Sequence, residues 1–283
     1  MILVFGRTGQ VATELARRAG GATFLGRDVA DLTDPDACAA AIHAHRPRVV
    51  INAAAWTAVD KAEDEEATAQ VVNGDAPAAM ARACAALDIP FLHISTDYVF
   101  DGSGTVPWSE DDLVAPLGAY GRTKLAGEQG VRAAGGRHVI LRTSWVFSAH
   151  GANFVKTMLR LSETRDALNI VEDQIGGPTP AADIAATLLA MAEAMQNGSD
   201  LGWGTYHYGG APAASWADFA REIFAGANRE VAVTGIPSSA FPTPAARPLN
   251  SRMAGAKLQR DFGIAPPDWR AGLRDVLADL GAL

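Results

Sequence analysis

Residues 1–5 are a short apolar run, and the segment after them, Gly6-Arg7-Thr8-Gly9-Gln10-Val11-Ala12, limits the fold more than any other stretch. A helical pattern follows through Val11, Leu15 and Arg18. A strand, a glycine turn and a helix in that order open a parallel α/β unit that binds a dinucleotide. Gly6 allows the tight turn, Gly9 lets the backbone approach a pyrophosphate, and Ala12 stands where a small residue permits close helix–strand packing. The start of the helix offers free N–H groups to phosphate. Turns use glycine for many reasons, so it is the position directly after the first strand that gives the pattern its meaning.

Further strands follow at the intervals of alternating β and α elements. Residues 23–25 form the second, 48–52 the third, 91–94 the fourth and 137–142 the fifth. The third, Arg48-Val49-Val50-Ile51-Asn52, is apolar and β-branched, as a strand buried on both faces should be. Residues 168–172 are expected as a sixth parallel strand, and 180–195 as a helix returning to the sheet. Asp34-Pro35 reads as a helix start with proline at its first position. Helical patterns cover 60–67, 71–87, 153–163 and 216–224, and two short helices close the chain. The expected fold is a doubly wound parallel sheet with a smaller, interleaved C-terminal region. Residues 1–147 and 168–200 form the dinucleotide-binding part, and 148–167 and 201–283 the substrate part.

The ligand side of such a sheet is the carboxyl end of its strands. After the fourth strand comes Ser95-Thr96-Asp97-Tyr98-Val99-Phe100, which puts a hydroxyl there. The Thr96 hydroxyl can donate to a substrate carbonyl oxygen or simply bond its own backbone. Tyr120 and Lys124 are four residues apart, so on a helix they share a face. A nearby ammonium favours a phenolate, and the expected effect is a lowered tyrosine pKa. Such a pair can protonate a carbonyl oxygen as hydride reaches its carbon; the plain alternative is a packed ring beside a solvated lysine.

After the second strand, Gly26-Arg27-Asp28 faces the adenosine ribose. Arg27 suits a 2′-phosphate and favours NADPH; Asp28 leaves NADH open, and a solvated loop arginine is equally in keeping with the pattern. Asp31 and Leu32 are expected to flank the adenine. Ala53, Ala54 and Ala55, small residues at the end of the third strand, leave room for a flat cofactor. The loop 102–116 is a candidate lid over the site.

The net charge of −8 argues against nucleic acid or an anionic membrane as partner. No apolar run reaches membrane-spanning length. Cys38 and Cys84 fall in helical stretches and offer neither a disulfide framework nor metal-ligand spacing. A reducing, cytoplasmic setting without a signal peptide is the expectation.

The glycine turn, the strand-end hydroxyl and the Tyr-x-x-x-Lys spacing occur together and in order. With Asn52-Ala53-Ala54-Ala55, Thr57 to Glu63, Ser95 to Phe100, Tyr120 to Lys124, Arg142 to Val146, Asn153-Phe154, Asp173-Gln174, Gly177-Pro178-Thr179 and Arg247-Pro248, the chain resembles the extended short-chain dehydrogenase/reductase superfamily. Within it the chain resembles the dTDP-4-dehydrorhamnose reductase family over residues 2 to about 270. The resemblance implies NAD(P)H-dependent reduction of the C4 keto group of a nucleotide sugar, dTDP-4-dehydro-L-rhamnose. It implies that Tyr120 donates the proton, that Lys124 holds the nicotinamide ribose, and that Thr96 binds the sugar carbonyl oxygen. Gly6, Gly9, Gln10 and Val11 would cradle the pyrophosphate, and Ala53, Ala54 and Ala55 line the nicotinamide half. Asp97, Trp145, Asn153 and Arg247 would lie on the substrate side. Trp56 stands where many relatives have histidine, with an expected change in the wall near the nicotinamide. Some members use Mg²⁺ in forming a homodimer, although no carboxylate cluster reads as a metal site. Two rivals stay open. A 4,6-dehydratase would carry glutamate where Tyr98 stands, and a regulatory subunit would have lost the intact Thr96, Tyr120 and Lys124.

Overall fold

The computed structural model describes residues 1–196 and 202–283. Six parallel strands form the central sheet, in the order Thr23–Leu25, Ile2–Phe5, Val49–Asn52, Phe91–Thr96, His138–Thr143 and Gly204–Tyr208. Successive residues of a strand point to opposite faces, so each strand must satisfy two layers at once. Leu3, Phe5, Val50, Phe91 and Ile140 pack against helices Pro35–His45 and Ala76–Ala86. Val4, Val49, Ile51, Leu92 and Leu141 pack on the other face against helices Gln10–Arg18 and Ala181–Gln196. This is the doubly wound, Rossmann-like sheet that the strand pattern predicts. The strand order reverses between Ile2–Phe5 and Val49–Asn52, and a ligand crevice opens where the order reverses.

Asp34 caps helix Pro35–His45, accepting from Ala37 N at 2.9 Å. The long alanine-rich stretch contains a π-helical segment, Val71–Asp75, before Ala76–Ala86. Helix Ala119–Ala133 lies directly on that segment. A Cβ at Gly127 would sit 2.1 Å from Asn73 O, so only glycine allows this approach.

The expected sixth strand is corrected. Ala167–Val171 lies outside the central sheet and pairs with Ala232–Ile236 in a separate two-stranded sheet, while the sixth place belongs to Gly204–Tyr208. The reason is burial on one face only. Ala167 and Asn169 are exposed, whereas Tyr206, His207 and Tyr208 are all buried. A strand with one wet face does not suit a sheet covered on both sides. The expected boundary between 200 and 201 lies outside the described residues.

The second region has its own core. Helices Phe154–Ser162, Trp216–Gly226 and Trp269–Asp279 bring together Phe147, Met158, Phe219, Phe224, Trp269 and Leu273. Ser215 and Asp218 form a reciprocal capping box that starts the Trp216 helix. Two-residue strands fasten this region to the sheet, including Val146–Phe147 with Thr179–Pro180 and Ile175–Gly176 with Asn250–Ser251.

Candidate active site

A cleft of about 980 Å³ runs along the carboxyl ends of the strands. Gly6, Gly9, Gln10, Val11, Arg27, Asp31, Leu32, Ala53, Ala54, Ala55, Thr96, Asp97, Tyr120, Lys124, Trp145 and Asn153 all line it. Of the residues expected at the ligands, Arg247 and Trp56 are missing from its walls.

The glycine turn is tight. Gly6 has φ +113°, and a Cβ there would come within 3.3 Å of the Ala53 backbone and 3.4 Å of Ala12 Cβ. A side chain would therefore fill the cradle that the first and third strands leave open. Gly9 precedes helix Gln10–Arg18, whose first N–H groups stay free for an anion. At the end of the second strand Arg27 is exposed, and Arg7 stands close by. Arg7 pairs with Asp28 at 3.5 Å, and its guanidinium is 3.3 Å from the place a Gly26 Cβ would take. Two guanidinium groups thus border this end, and Asp28 is engaged by one of them. Arg7 was legible from its place inside the turn, although Arg27 alone carried the expectation.

At the other end of the cleft Lys124 is buried, and its Nζ donates to Ile94 O at 2.7 Å. Burial pulls its ammonium down to about 8, against the pull of Glu128. The Tyr120 phenol moves the opposite way from the expected lowering. Burial pushes it up to about 12, against the Thr96 hydroxyl and with a contribution from Asp97. Desolvation of a phenolate in this wall outweighs any help from Lys124, whose Nζ is held toward the backbone of the fourth strand. The tyrosine is therefore a neutral acid at pH 7, which is the form a proton donor needs.

The Thr96 hydroxyl donates to Asp97 Oδ1 at 3.0 Å and accepts from Tyr98 N at 3.2 Å. Asp97 Oδ2 is buried without a hydrogen-bond partner, as is Thr143 Oγ1 on the neighbouring strand. Burial pushes the Asp97 carboxyl up to about 6. Trp145 has φ +48° and stacks on Trp216 at 3.6 Å and 10°. That stack leaves no room for a side chain at Gly176, whose Cβ would come 2.8 Å from the Trp145 ring.

Two expected ligand residues have side chains already engaged. Asn153 caps helix Phe154–Ser162, and its Nδ2 donates to Gln10 Oε1, Ser148 O and His150 O at 2.9, 2.8 and 3.2 Å. It joins the second region to the glycine turn. Arg247 grips Asp60 through both carboxylate oxygens, at 2.9 and 2.8 Å, and ties the loop 237–248 to helix Val59–Asp64. Trp56 does not line the cleft. Its indole donates to Ala58 O, and the ring packs against the cluster of Ala62, Ala69 and Ala119.

Sequence reading missed a second layer behind the wall. Asn52 and His93 are neighbours in strand register, and Asn52 Nδ2 meets His93 Nδ1 at 3.2 Å. Ser95 and Arg142, also in register, both bond Glu128, at 2.6 Å for Ser95 and at 2.8 and 2.7 Å for Arg142. The available signal was a polar residue inside an apolar strand, which requires a buried partner. Among the described residues no three His, Cys, Asp or Glu side chains gather as a metal site, and no helix is long and apolar enough to cross a membrane. Cys38 and Cys84 are buried free thiols.

Residues 1–282 match the family described as the RmlD substrate binding domain. The dTDP-4-dehydrorhamnose reductase of Sinorhizobium fredii is 44% identical over 281 residues, covering 96% of this chain and 95% of that relative. A crystal structure of a dTDP-4-dehydrorhamnose reductase from Clostridium acetobutylicum superposes with a TM-score of 0.92 at 36% identity, covering 99% of both chains. A Bacillus anthracis dTDP-4-dehydrorhamnose reductase in complex with NADP gives 0.91 at 33% identity, covering 98% of both. A sheet with this topology, a cleft with these walls and a match over nearly the whole length lead to one statement: the chain belongs to the RmlD substrate binding domain family.

Proposed function

We propose that this protein is an NAD(P)H-dependent oxidoreductase that reduces the C4 keto group of dTDP-4-dehydro-L-rhamnose to give dTDP-L-rhamnose. The observation that carries the reading is the meeting of Thr96, Tyr120 and Lys124 in one cleft with the Gly6–Gly9 turn. The names of the relatives supply the sugar and the nucleotide. The NADP in the Bacillus anthracis relative, together with Arg7 and Arg27 beside Gly26, favours NADPH. The open space at Gly6 suits a pyrophosphate, with Gln10 and Val11 at the helix start and Ala53 to Ala55 opposite. Asp31 and Leu32 border the adenine end.

Bound there, the dinucleotide supplies the hydride. Thr96 donates its hydroxyl to the C4 oxygen, which requires it to release Asp97. Tyr120, neutral at pH 7, gives its proton to that oxygen as negative charge develops on it. Lys124, held by Ile94 O, borders the cleft where it would hold the nicotinamide ribose. Asp97 offers its unpartnered Oδ2 to a sugar hydroxyl. Trp145 gives the sugar an apolar wall. Arg247 and Asn153 fix the substrate region, taken as 148–167 and 201–283, by holding Asp60 and Gln10. The buried free thiols fit a reducing, cytoplasmic setting.

The test is NADPH oxidation with dTDP-4-dehydro-L-rhamnose made in situ, run against other 4-keto nucleotide sugars. Turnover at least tenfold above the panel is expected. Equal rates across the panel would remove the assigned sugar, and no turnover with intact cofactor binding would favour a regulatory subunit.

A further inference from the structure

Behind Lys124 lies a buried chain of polar groups to which the reaction assigns no part. His93 is completely buried on the fourth strand, and Asn52 is 1% exposed on the third. Ala54 N donates to Asn52 Oδ1 at 3.1 Å, which fixes the orientation of the amide. The group facing His93 Nδ1 at 3.2 Å is therefore Asn52 Nδ2, a donor. His93 Nδ1 must accept, so a neutral imidazole carries its proton on Nε2. Burial and Lys124 hold the His93 pKa well below its ordinary value, which excludes the imidazolium.

His93 Nε2 is 3.4 Å from Lys124 Nζ. Against an ammonium, this N–H would set donor against donor. Against an amine, it donates to the nitrogen lone pair. The imidazole cannot escape by shifting its proton to Nδ1, because that N–H would then face the amide N–H of Asn52. We propose that Asn52 and His93 are positioning residues for Lys124: Asn52 locks the Nε2–H tautomer, and that N–H, aimed at Nζ, favours the uncharged amine. The contact acts on a charge change that burial already brings close to neutral pH, and with it on the number of N–H donors in the cleft. Other groups face it as well. Glu128 lies one helical turn onward and favours the ammonium, while Arg142 from the fifth strand pairs with Glu128 and limits that effect. Tyr120 lies one turn back, and Asp97, beyond the end of the fourth strand, acts on Tyr120.

The functional part of this inference rests on the reading of Lys124 as part of the reductase centre, so the primary measurement needs no turnover. The chain has four lysines, and ¹³Cε labelling with Lys124→Met to identify the signal follows Lys124 alone. In the unaltered protein it should titrate near 8. His93→Leu removes the donor and should raise that value by about one unit. His93→Gln restores an N–H near the Nε2 position and should bring it back. The alkaline limb of the kcat/KM profile should move with it. A Lys124 titration unchanged in folded His93→Leu overturns the proposal. Should His93→Leu fail to fold, ¹⁵N shifts of His93 in the unaltered protein decide: protonated Nε2 with bare Nδ1 supports the lock, and the reverse tautomer overturns it. A moved lysine titration with an unmoved activity limb supports the tuning and overturns the catalytic reading of Lys124.

Discussion

The sheet half and the second region each have an apolar core, yet they fasten their polar groups differently. Behind the wall that carries Tyr120 and Lys124, Glu128 is fully buried and collects Ser95, Arg132 and Arg142, and Arg142 reaches His207 on the edge strand at 3.3 Å. Ser95, Arg142 and His207 lie abreast on three neighbouring strands. The substrate side is fastened by pairs closer to water, such as Arg247 with Asp60, whose side chains are 20% and 44% exposed. Water and salt weaken such pairs, whereas a buried network is screened little but suffers badly when one partner is lost. The wall that must hold Tyr120 and Lys124 in register is thus built from contacts for which water does not compete. The side that must admit a sugar nucleotide is held by weaker ones.

Five substitutions, in four tests, sharpen this contrast, from the largest expected effect down. Tyr120→Phe should lower kcat by about 10²–10⁴-fold while cofactor affinity and stability stay nearly unchanged. Single-turnover kinetics check this, and a near-normal chemical step would take Tyr120 out of the reaction.

Glu128→Gln should cost about 3–5 kcal/mol of stability, because it leaves Arg142 buried without its counter-charge. Denaturant unfolding measures it. The network also has a pH signature. Burial pushes the Glu128 carboxyl up, but Arg142, Ser95 and Arg132 together hold it below its ordinary value of 4.5. A lowered folded-state pKa contributes stability above the unfolded value, and that stability is lost as pH falls below it. Stability should therefore drop below about pH 4.5 in the unaltered protein, and less steeply in Glu128→Gln. Parallel acid limbs would mean that other carboxylates govern acid unfolding.

Arg27→Ala tests the cofactor end. The group is exposed, so the loss belongs at the lower end of a charged hydrogen bond, about 1.5 kcal/mol or roughly tenfold weaker NADPH binding. NADH binding should hardly change, and equal losses for both in a titration would give Arg27 a structural role only.

The smallest effect is expected at the rim. Arg247→Met and Asp60→Asn should each cost little, with a coupling of about 0.2–1 kcal/mol in a double-mutant cycle. Additive losses, with a tenfold rise in KM for Arg247→Met alone, would return Arg247 to the substrate.

Much of the site was legible because its signals are local. Gly6, Gly9 and Ala12 declare a strand–turn–helix unit, and Tyr120 and Lys124 declare one helix face, since the helix repeat decides which residues are neighbours. Thr96 was legible because the end of a parallel strand is the ligand side of its sheet. The small residues Ala53 to Ala55 follow from the same rule.

The rest depends on segments far apart in the chain. The run Ala167–Val171 looks like a sheet strand, and only its partner Ala232–Ile236 shows otherwise. Asn52 meets His93 across 41 residues, and Arg247 meets Asp60 across 187. The direction of the Tyr120 shift also waited on tertiary structure, because desolvation is a property of the finished wall and not of a spacing. The amino-acid order by itself placed Gly6, Gly9, Thr96, Tyr120 and Lys124 on the cleft, since strand and helix periodicity act within a few residues, but it did not exclude Trp56 or Arg247, which lie outside its walls. Folding decided which of those side chains are free and which charge state they hold, because both are set by what packs behind them.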